Sequence, residues 1–404
     1  MTKRLYRADA YATDFESVVA AVRPAEDGWA VVLEATLFYP ESGGQPCDVG
    51  WIESARVEYV ADAGDDILHI AAAKPAFGAG DPVQGKIDWP RRFLNMQQHT
   101  GQHILSQAFL AVLGANTVSS KLGLEHSTID VGALGLGWED MERVERAANS
   151  VIYENRPVRV YDARPDELKG IRAKKEPTRD LLRIVEVSNF DVSPCGGTHC
   201  RHTGEVGIVK IIRWEKVRET TRIEFLCGRL AETDYFWKSR AIVDLAEALT
   251  TSDTSVPGRV RDLDSSNRAL RKEVGWLNAR LMEHEIHDLE ARAEPVGGVG
   301  LIRALFDRRT PAQLREIAAV LTAPGGRVAL LGSRGERLHL VFARSPEVPA
   351  DMRRLMEAAT AIVEGKGGGK PEVCEGGGKN LEGAEEALRA AAGLLKAVLG
   401  QSGD

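Results

Sequence analysis

Short alternations of apolar and polar residues fill the first 88 positions, in WAVVLEATLFY, VGWIESARVEYVAD, DILHIAA and VQGKIDW, each broken by Gly, Asp or Pro. Runs of this length and spacing predict short strands of a small β-barrel or compact sheet. The period changes near Arg91. There QQHTGQHILSQAFLAVLG carries Ile104, Leu105, Phe109 and Val112 on a helical face until Gly114 stops it. STIDVGAL reads as a strand, and WEDMERVERAANSVIYEN as an acidic-capped helix ending before Pro157. Strand patterns return in VRVYDA, GIVKIIRWEKV and TRIEFLCG. Helix and strand alternate without a strict βαβ repeat, which predicts an α+β block of helices on antiparallel sheet.

A different period follows TSDTSVPG. Val260, Leu263, Asn267, Leu270, Val274, Leu277, Leu281 and His284 recur at alternating steps of three and four, a heptad seam with two polar positions. No proline interrupts residues 258–294, so one helix of about ten turns is expected. It is read as a helical or coiled-coil spacer, pairing with the helix DYFWKSRAIVDLAEAL or with a second subunit. From about residue 295 the pattern is strand, helix, two strands and helix, then a glycine-rich loop and an Ala-rich helix, LEGAEEALRAAAGLLKAVL. This predicts a separate α/β domain. The expected divisions are a β-rich barrel at 1–90, the α+β domain at 91–231, the spacer at 232–294 and the α/β domain at 295–404.

At 404 residues, 43% hydrophobic and 27% charged, the chain can bury several cores. It has no run of about 18 apolar residues to suggest a membrane span. Cysteines at 47, 195, 200, 227 and 374 are odd in number and scattered. They do not read as a disulfide framework, and with no apolar signal stretch in MTKRLYRADAY a cytoplasmic location is expected. The net charge of −7 argues against a surface coated in nucleic acid, yet the basic segment 169–183 (KGIRAKKEPTRDLLR) could serve one locally. A solvated surface stretch fits that segment equally.

Candidate chemistry begins at HTGQH. His99 and His103 stand four apart, one above the other on a helix face. The spacing alone also suits two polar residues at a helix end. The Glu that follows the first His in zinc proteases is missing, which removes that reaction's general base. SPCGGTHC supplies a second pair, Cys195 and His199, across two glycines. Three imidazoles and one thiolate suit zinc by ligand type. Cys200 and His202 have no partner at matching spacing and read as loop residues.

HxxxH followed about ninety residues later by CxxxH resembles the zinc signature of the editing domain of alanyl-tRNA synthetases and of the free-standing AlaX proteins. TLFYPESGGQPCDVG, KLGLEHSTIDVG and TRIEFLCG resemble that family's glycine-rich motif, middle strand and closing strand, in the same order over residues 36–228. GKGGGKPEVCEGGGKN resembles the signature of the C-terminal domain shared by alanyl-tRNA synthetases and DHH phosphoesterases. That domain together with the spacer marks the long form of the AlaX family. Neither a class II aminoacylation core ahead of the barrel nor a DHH tripeptide is seen, so tRNA charging is not expected.

The resemblance implies a zinc-dependent aminoacyl-tRNA hydrolase. It would remove serine chiefly, and glycine as a second candidate, from the acceptor end of tRNA(Ala). Zn2+ is expected on His99, His103, Cys195 and His199. Thr36 is expected to contact the serine hydroxyl, and Gln45 to position substrate or water. Asp48 is expected to stabilise the loop. Gly367, Gly368, Gly369, Lys370, Gly376, Gly377, Gly378 and Lys379 are expected to meet tRNA, their bare backbone amides approaching phosphate or sugar. A homodimer through the spacer or the C-terminal domain is a further expectation. The competing reading is a tRNA-binding protein with a structural zinc and no turnover.

Overall fold

The N-terminal alternation becomes a single antiparallel sheet of seven strands, seen in a computed structural model that describes residues 1–164 and 181–400. All but the last three positions of the basic segment 169–183 lie outside the described residues. In spatial order the strands are Ala55–Val57, Gly50–Ile52, Pro82–Ile87, Asp14–Ala25, Gly28–Leu33, Asp66–Ala71 and Tyr59–Ala63. The two outermost strands are consecutive in the chain, with only Glu58 between them, so the sheet curls into a nearly closed barrel. Val19, Leu33, Phe38, Ile52, Ile67 and Ile87 fill its interior. Asp14–Ala25, the longest strand, carries no legible alternation because only Val19 along it is buried.

Helix α1 (Trp89–Leu113) leaves the barrel's last strand directly, capped by Asp88, with Pro90 in its first turn. Gly114 ends it in the left-handed conformation at φ 66°. Its apolar side, Met96, Ile104, Leu105, Ala108 and Phe109, joins Val144, Ala148 and Ile152 of α2 (Trp138–Tyr153) in one core. Two antiparallel sheets complete that core. One orders Thr117–Lys121, Ser127–Val131, Thr220–Cys227 and Val209–Val217; the other orders Val158–Ala163, Leu182–Val187 and Asp191–Pro194. Helix α3 (Arg229–Ala248) follows, and this first compact unit runs from Met1–Asp253.

The second unit, Thr254–Asp404, opens with α4 (Val256–Ala291), the expected long helix, at 36 residues. Six of its seam positions, Val260, Leu263, Leu270, Val274, Leu277 and Leu281, are each 45–59% exposed. Six strands then form one sheet in the order Glu294–Val296, Val299–Asp307, Arg327–Arg334, Leu338–Arg344, Val373–Gly378 and Gly365–Gly369. Its one parallel pair brackets α5 (Pro311–Thr322), which packs on one face beside Ile286 of α4. Helices α6 (Met352–Ile362) and α7 (Ala384–Gly400) cover the other face. The glycine-rich stretch read as a loop is therefore a β-hairpin at the sheet edge. Glycine is needed there for close approach: a Cβ on Gly367 or Gly376 would sit 2.6 Å from the Met356 side chain of α6. No helix among the described residues is long and apolar enough to cross a membrane.

One buried ion pair ties α1 to the barrel. Arg92 and Asp48 are both fully buried, and the Arg92 Nε lies 3.0 and 3.1 Å from the two carboxylate oxygens. The guanidinium also donates to the carbonyls of Ala10 at 2.7 Å and Leu37 at 2.6 Å. Asp48 in turn accepts the Tyr39 amide at 2.6 Å. Removing one partner of such a pair leaves the other charge buried and unmatched, which costs about 3–5 kcal/mol. Asp48→Asn and Arg92→Met should each lower the unfolding free energy of the first unit by about that amount in urea titrations. A loss below about 1 kcal/mol, the range of surface pairs, would show the pair to be dispensable.

Candidate metal centre

His99 and His103 project from consecutive turns of α1, while Cys195 and His199 come from the loop after strand Asp191–Pro194. The fold brings one nitrogen or sulfur atom from each of the four within 4.8 Å of the others. Cys195 Sγ lies 3.3 Å from both His99 Nε2 and His199 Nε2. The three histidines are at most 6% exposed; Cys195 is half-buried.

Each imidazole is held from behind. His99 Nδ1 lies 2.7 Å from Gln45 Oε1, His103 Nδ1 lies 3.1 Å from Asp191 Oδ2, and His199 Nδ1 lies 3.4 Å from Thr100 Oγ1. With an oxygen facing every Nδ1, the Nε2 side of each ring turns into the cluster, the arrangement metal-binding histidines use to fix tautomer and direction. Four convergent donors, three imidazole nitrogens and one thiolate, fit a tetrahedral transition-metal ion.

The electrostatics point the same way. Burial opposes a Cys195 thiolate, but the interactions with the surrounding imidazoles of His99, His199 and His103 outweigh it and hold the thiol well below its usual range. Burial also opposes a charged His103, yet Asp191 and the neighbouring thiolate raise its imidazole to about 9. His199 is pushed down to about 3, first by burial and then by His99. A thiol held low among three imidazoles suits a metal-binding donor set.

Gln45 sits in the turn expected for it, with Gly43 and Gly44 at φ 59° and 83° and a two-way backbone bridge between Ser42 and Gln45. Its amide is fully buried and already engaged. Oε1 accepts the Thr198 amide at 3.0 Å as well as His99, and Nε2 donates to Thr198 Oγ1 at 2.9 Å. The backbone donor fixes which end of the amide is oxygen. Gln45 thus touches a ligand rather than facing open space. Thr36 is not among the cluster's partners. It is fully buried, donates its hydroxyl to His69 Nε2 at 2.8 Å and accepts the Phe38 amide at 3.1 Å. Cys200 is buried, its thiol pushed up to about 12 by burial, and His202 pairs with Glu205 at 3.6 Å. The hairpin residues Gly367, Gly368, Gly369, Lys370, Gly376, Gly377, Gly378 and Lys379 belong to the second unit.

Sequence reasoning missed Asp191, Thr100, Thr198 and Arg183. Arg183 Nη1 donates to the carbonyls of Cys195 and Gly197, both at 2.8 Å, and so pins the ligand loop. Thr100 and Thr198 each adjoin a ligand histidine in the chain, a signal that was available. Asp191 offered none, and Arg183 stood out only as the end of the basic segment 169–183, because only the fold places them beside the cluster.

Two outcomes check this geometry. Gln45→Ala strips His99 of its acceptor and should weaken metal affinity by about 10- to 100-fold in a chelator competition; unchanged affinity would detach the amide from the ligand set. His69, buried to a pKa of about 4 with Nδ1 2.9 Å from the Val31 carbonyl, should stay neutral and Nδ1-protonated in nitrogen NMR from pH 7 to 5. Because its folded pKa lies below the unfolded value of about 6.5, this contribution is complete above pH 6.5 and lost as pH falls. About 2 kcal/mol should be gone at pH 5. A His69 that titrates near 6.5 would contradict the Thr36–His69–Val31 chain.

Parts of the chain match three known families. Residues 8–91, the barrel, match tRNA synthetases class II (A). Residues 182–224 match the threonyl and alanyl tRNA synthetase second additional domain, and residues 301–397 the DHHA1 domain. Over 394 residues the chain is 30% identical to the alanyl-tRNA editing protein AlaX-L of Pyrococcus horikoshii, covering 93% of this chain and 94% of that one. It is 32% identical over 408 residues to the alanine–tRNA ligase of Pyrococcus furiosus, but spans only 44% of that protein's length. Among solved structures, the C-Ala domain of Aquifex aeolicus alanyl-tRNA synthetase covers 26% of this chain and 96% of its own, at 28% identity and a TM-score of 0.24.

Proposed function

The chain belongs to the AlaX-L family of alanyl-tRNA editing proteins, and from that premise we propose that it is a trans-editing hydrolase of mischarged tRNA(Ala). The bond cleaved is the ester between a wrong amino acid and the terminal adenosine, with serine the chief substrate and glycine the second. The convergence of His99, His103, Cys195 and His199, each imidazole fixed from behind, carries this reading. These four residues would hold zinc. When bound, it supplies a Lewis acid that polarises an ester carbonyl or acidifies a water.

The chain's own residues do the rest. Gln45 orients His99 and the Thr198 segment, and Asp191 orients His103; both are positioning residues. A synthetic site shaped for alanine cannot strongly exclude serine, so a second site must find the hydroxyl. Thr36 is the sensor in this proposal: after bonding His69 and Phe38 its oxygen keeps one acceptor position, which a serine hydroxyl would fill. Alanine would leave that position unpaired. The exposed lysines Lys366, Lys370 and Lys379 beside the glycine hairpin are proposed to meet tRNA phosphates. The four-part division of the chain, a cytoplasmic location and dimerisation through the exposed seam of α4 belong to the same proposal.

One observation favours the second reading, a tRNA-binding protein with a structural zinc. Four protein ligands are the complement of closed structural sites. Incubation of the zinc-loaded protein with seryl-, glycyl- and alanyl-tRNA(Ala) separates the two. The expected outcome is rapid release of serine with alanine spared, falling to the uncatalysed rate in Cys195→Ala. Thr36→Val should narrow the difference between seryl and alanyl substrates. Release of no amino acid above background, with zinc and tRNA both bound, would leave the structural reading.

A further inference from the structure

A cleft of about 400 Å³ opens beside the cluster within the first unit, and the ligand His199 is part of its lining. One wall is the turn Leu5–Arg7 and the residues after it. The other combines Val158, Val160 and Arg183 of the three-stranded sheet with residues 199–201. The volume lies within the range of small-ligand sites. Three arginines, Arg7, Arg183 and Arg201, face a single carboxylate, Asp9, among the lining residues. That local excess of positive charge stands in a chain whose net charge is −7.

The arginines are built in differently. Arg183 spends Nη1 on the ligand loop, so its charge sits between cleft and cluster. Arg201 lies over the Tyr11 ring, its guanidinium carbon 4.0 Å from the ring centre, while its backbone amide donates to the Tyr11 hydroxyl at 2.8 Å. Its head group pairs with Asp9 at 3.3 Å and remains 59% exposed. Arg7 is exposed at the opposite wall. A planar guanidinium braced on an aromatic ring keeps its outer N–H groups aimed at solvent and ready for a bidentate oxyanion.

We propose that this cleft seats the phosphodiester backbone of the single-stranded 3′ end of an RNA, held by Arg7 and Arg201, with its terminus directed at the metal cluster. The inference rests on the tRNA-editing reading for its substrate but names a binding site of its own. Charge and geometry carry it: a basic cleft holds a single strand by its phosphates, and the candidate ligand His199 is part of the lining of this one.

The test uses the full-length, metal-loaded protein with Arg7→Gln, Arg201→Gln and Asp9→Asn. The probe is a fluorescein-labelled acceptor-stem minihelix, intact or trimmed of its unpaired 3′ nucleotides, followed by anisotropy at several salt concentrations. Each arginine variant should weaken the intact minihelix roughly tenfold and lower the salt slope by about one. Asp9→Asn should tighten it, and the trimmed minihelix should bind wild type and variants alike. Inorganic phosphate competing as well as the minihelix would reduce the cleft to a simple anion site and overturn the proposal. So would wild-type affinity in both arginine variants, or equal losses on both probes, with metal content unchanged throughout. Wild-type hydrolysis of seryl-tRNA that persists unaltered in the variants removes the cleft alone. An inactive wild type whose minihelix binding still depends on Arg7 and Arg201 removes the hydrolase alone.

Discussion

The Arg92–Asp48 pair sets where α1 stands, and everything at the candidate metal centre is measured from α1. Buried charges are tolerated only when every donor and acceptor is answered. Here the Ala10 and Leu37 carbonyls and the Tyr39 amide complete the set. The contact locks the first turns of the helix to the segment that also forms the turn at residues 42–45. Two turns beyond Arg92, His99 meets Gln45 from that same segment. The barrel and the histidine pair are thereby one piece, although the sequence shows them as a strand region and a helix with a change of period between.

The other half of the cluster is fastened by different means. Its loop carries Gly197 where a Cβ would lie 2.2 Å from His99 Cε1 and 2.7 Å from Gln45 Oε1. No other residue lets the backbone pass so near the imidazole. Arg183 clamps the loop's carbonyls, Thr198 bonds Gln45 twice, and Thr100 on α1 reaches both the Cys200 amide and His199. The two ligand pairs are thus coupled through Gln45 and Thr100 before any ion is considered. This is how residues nearly a hundred positions apart converge on atoms a few ångströms apart.

Much of this was legible in advance where local rules suffice. The helix ending at Gly114, the long α4, and most strands of both units announce themselves by period and by stop residues. The four candidate ligands stood out by spacing and type. The directions of Gln45 and Thr36 did not, since both lie on irregular or edge segments whose side chains aim wherever tertiary partners take them. The strands Leu182–Val187 and Asp191–Pro194 are less legible, because the first adjoins a run of mixed charge and the second is only four residues long. The glycine hairpin was misread because glycine signals both a flexible loop and a backbone that must approach a helix. Met356 of α6 shows which applies.

The strongest conflict between local rule and observed structure lies in α1 itself. QQHTGQH is a run of seven consecutive polar or glycine positions on the helix, yet every one of its residues is buried. Burying that many polar groups is unfavourable unless each is matched. Gln97 donates to the Glu205 carbonyl, Gln98 both donates to and accepts from the Cys227 backbone, and Gln102 donates to Ser106. Gly101, worth about 1 kcal/mol of lost helix propensity, is required because a Cβ there would meet Cys227 Sγ at 2.2 Å. A helix optimised for stability alone would carry leucine and alanine at these positions. The chain instead keeps a costly polar run, with His99 and His103 within it. Where a sequence breaks its own folding rules and answers each breach with a specific partner, the breach marks the site.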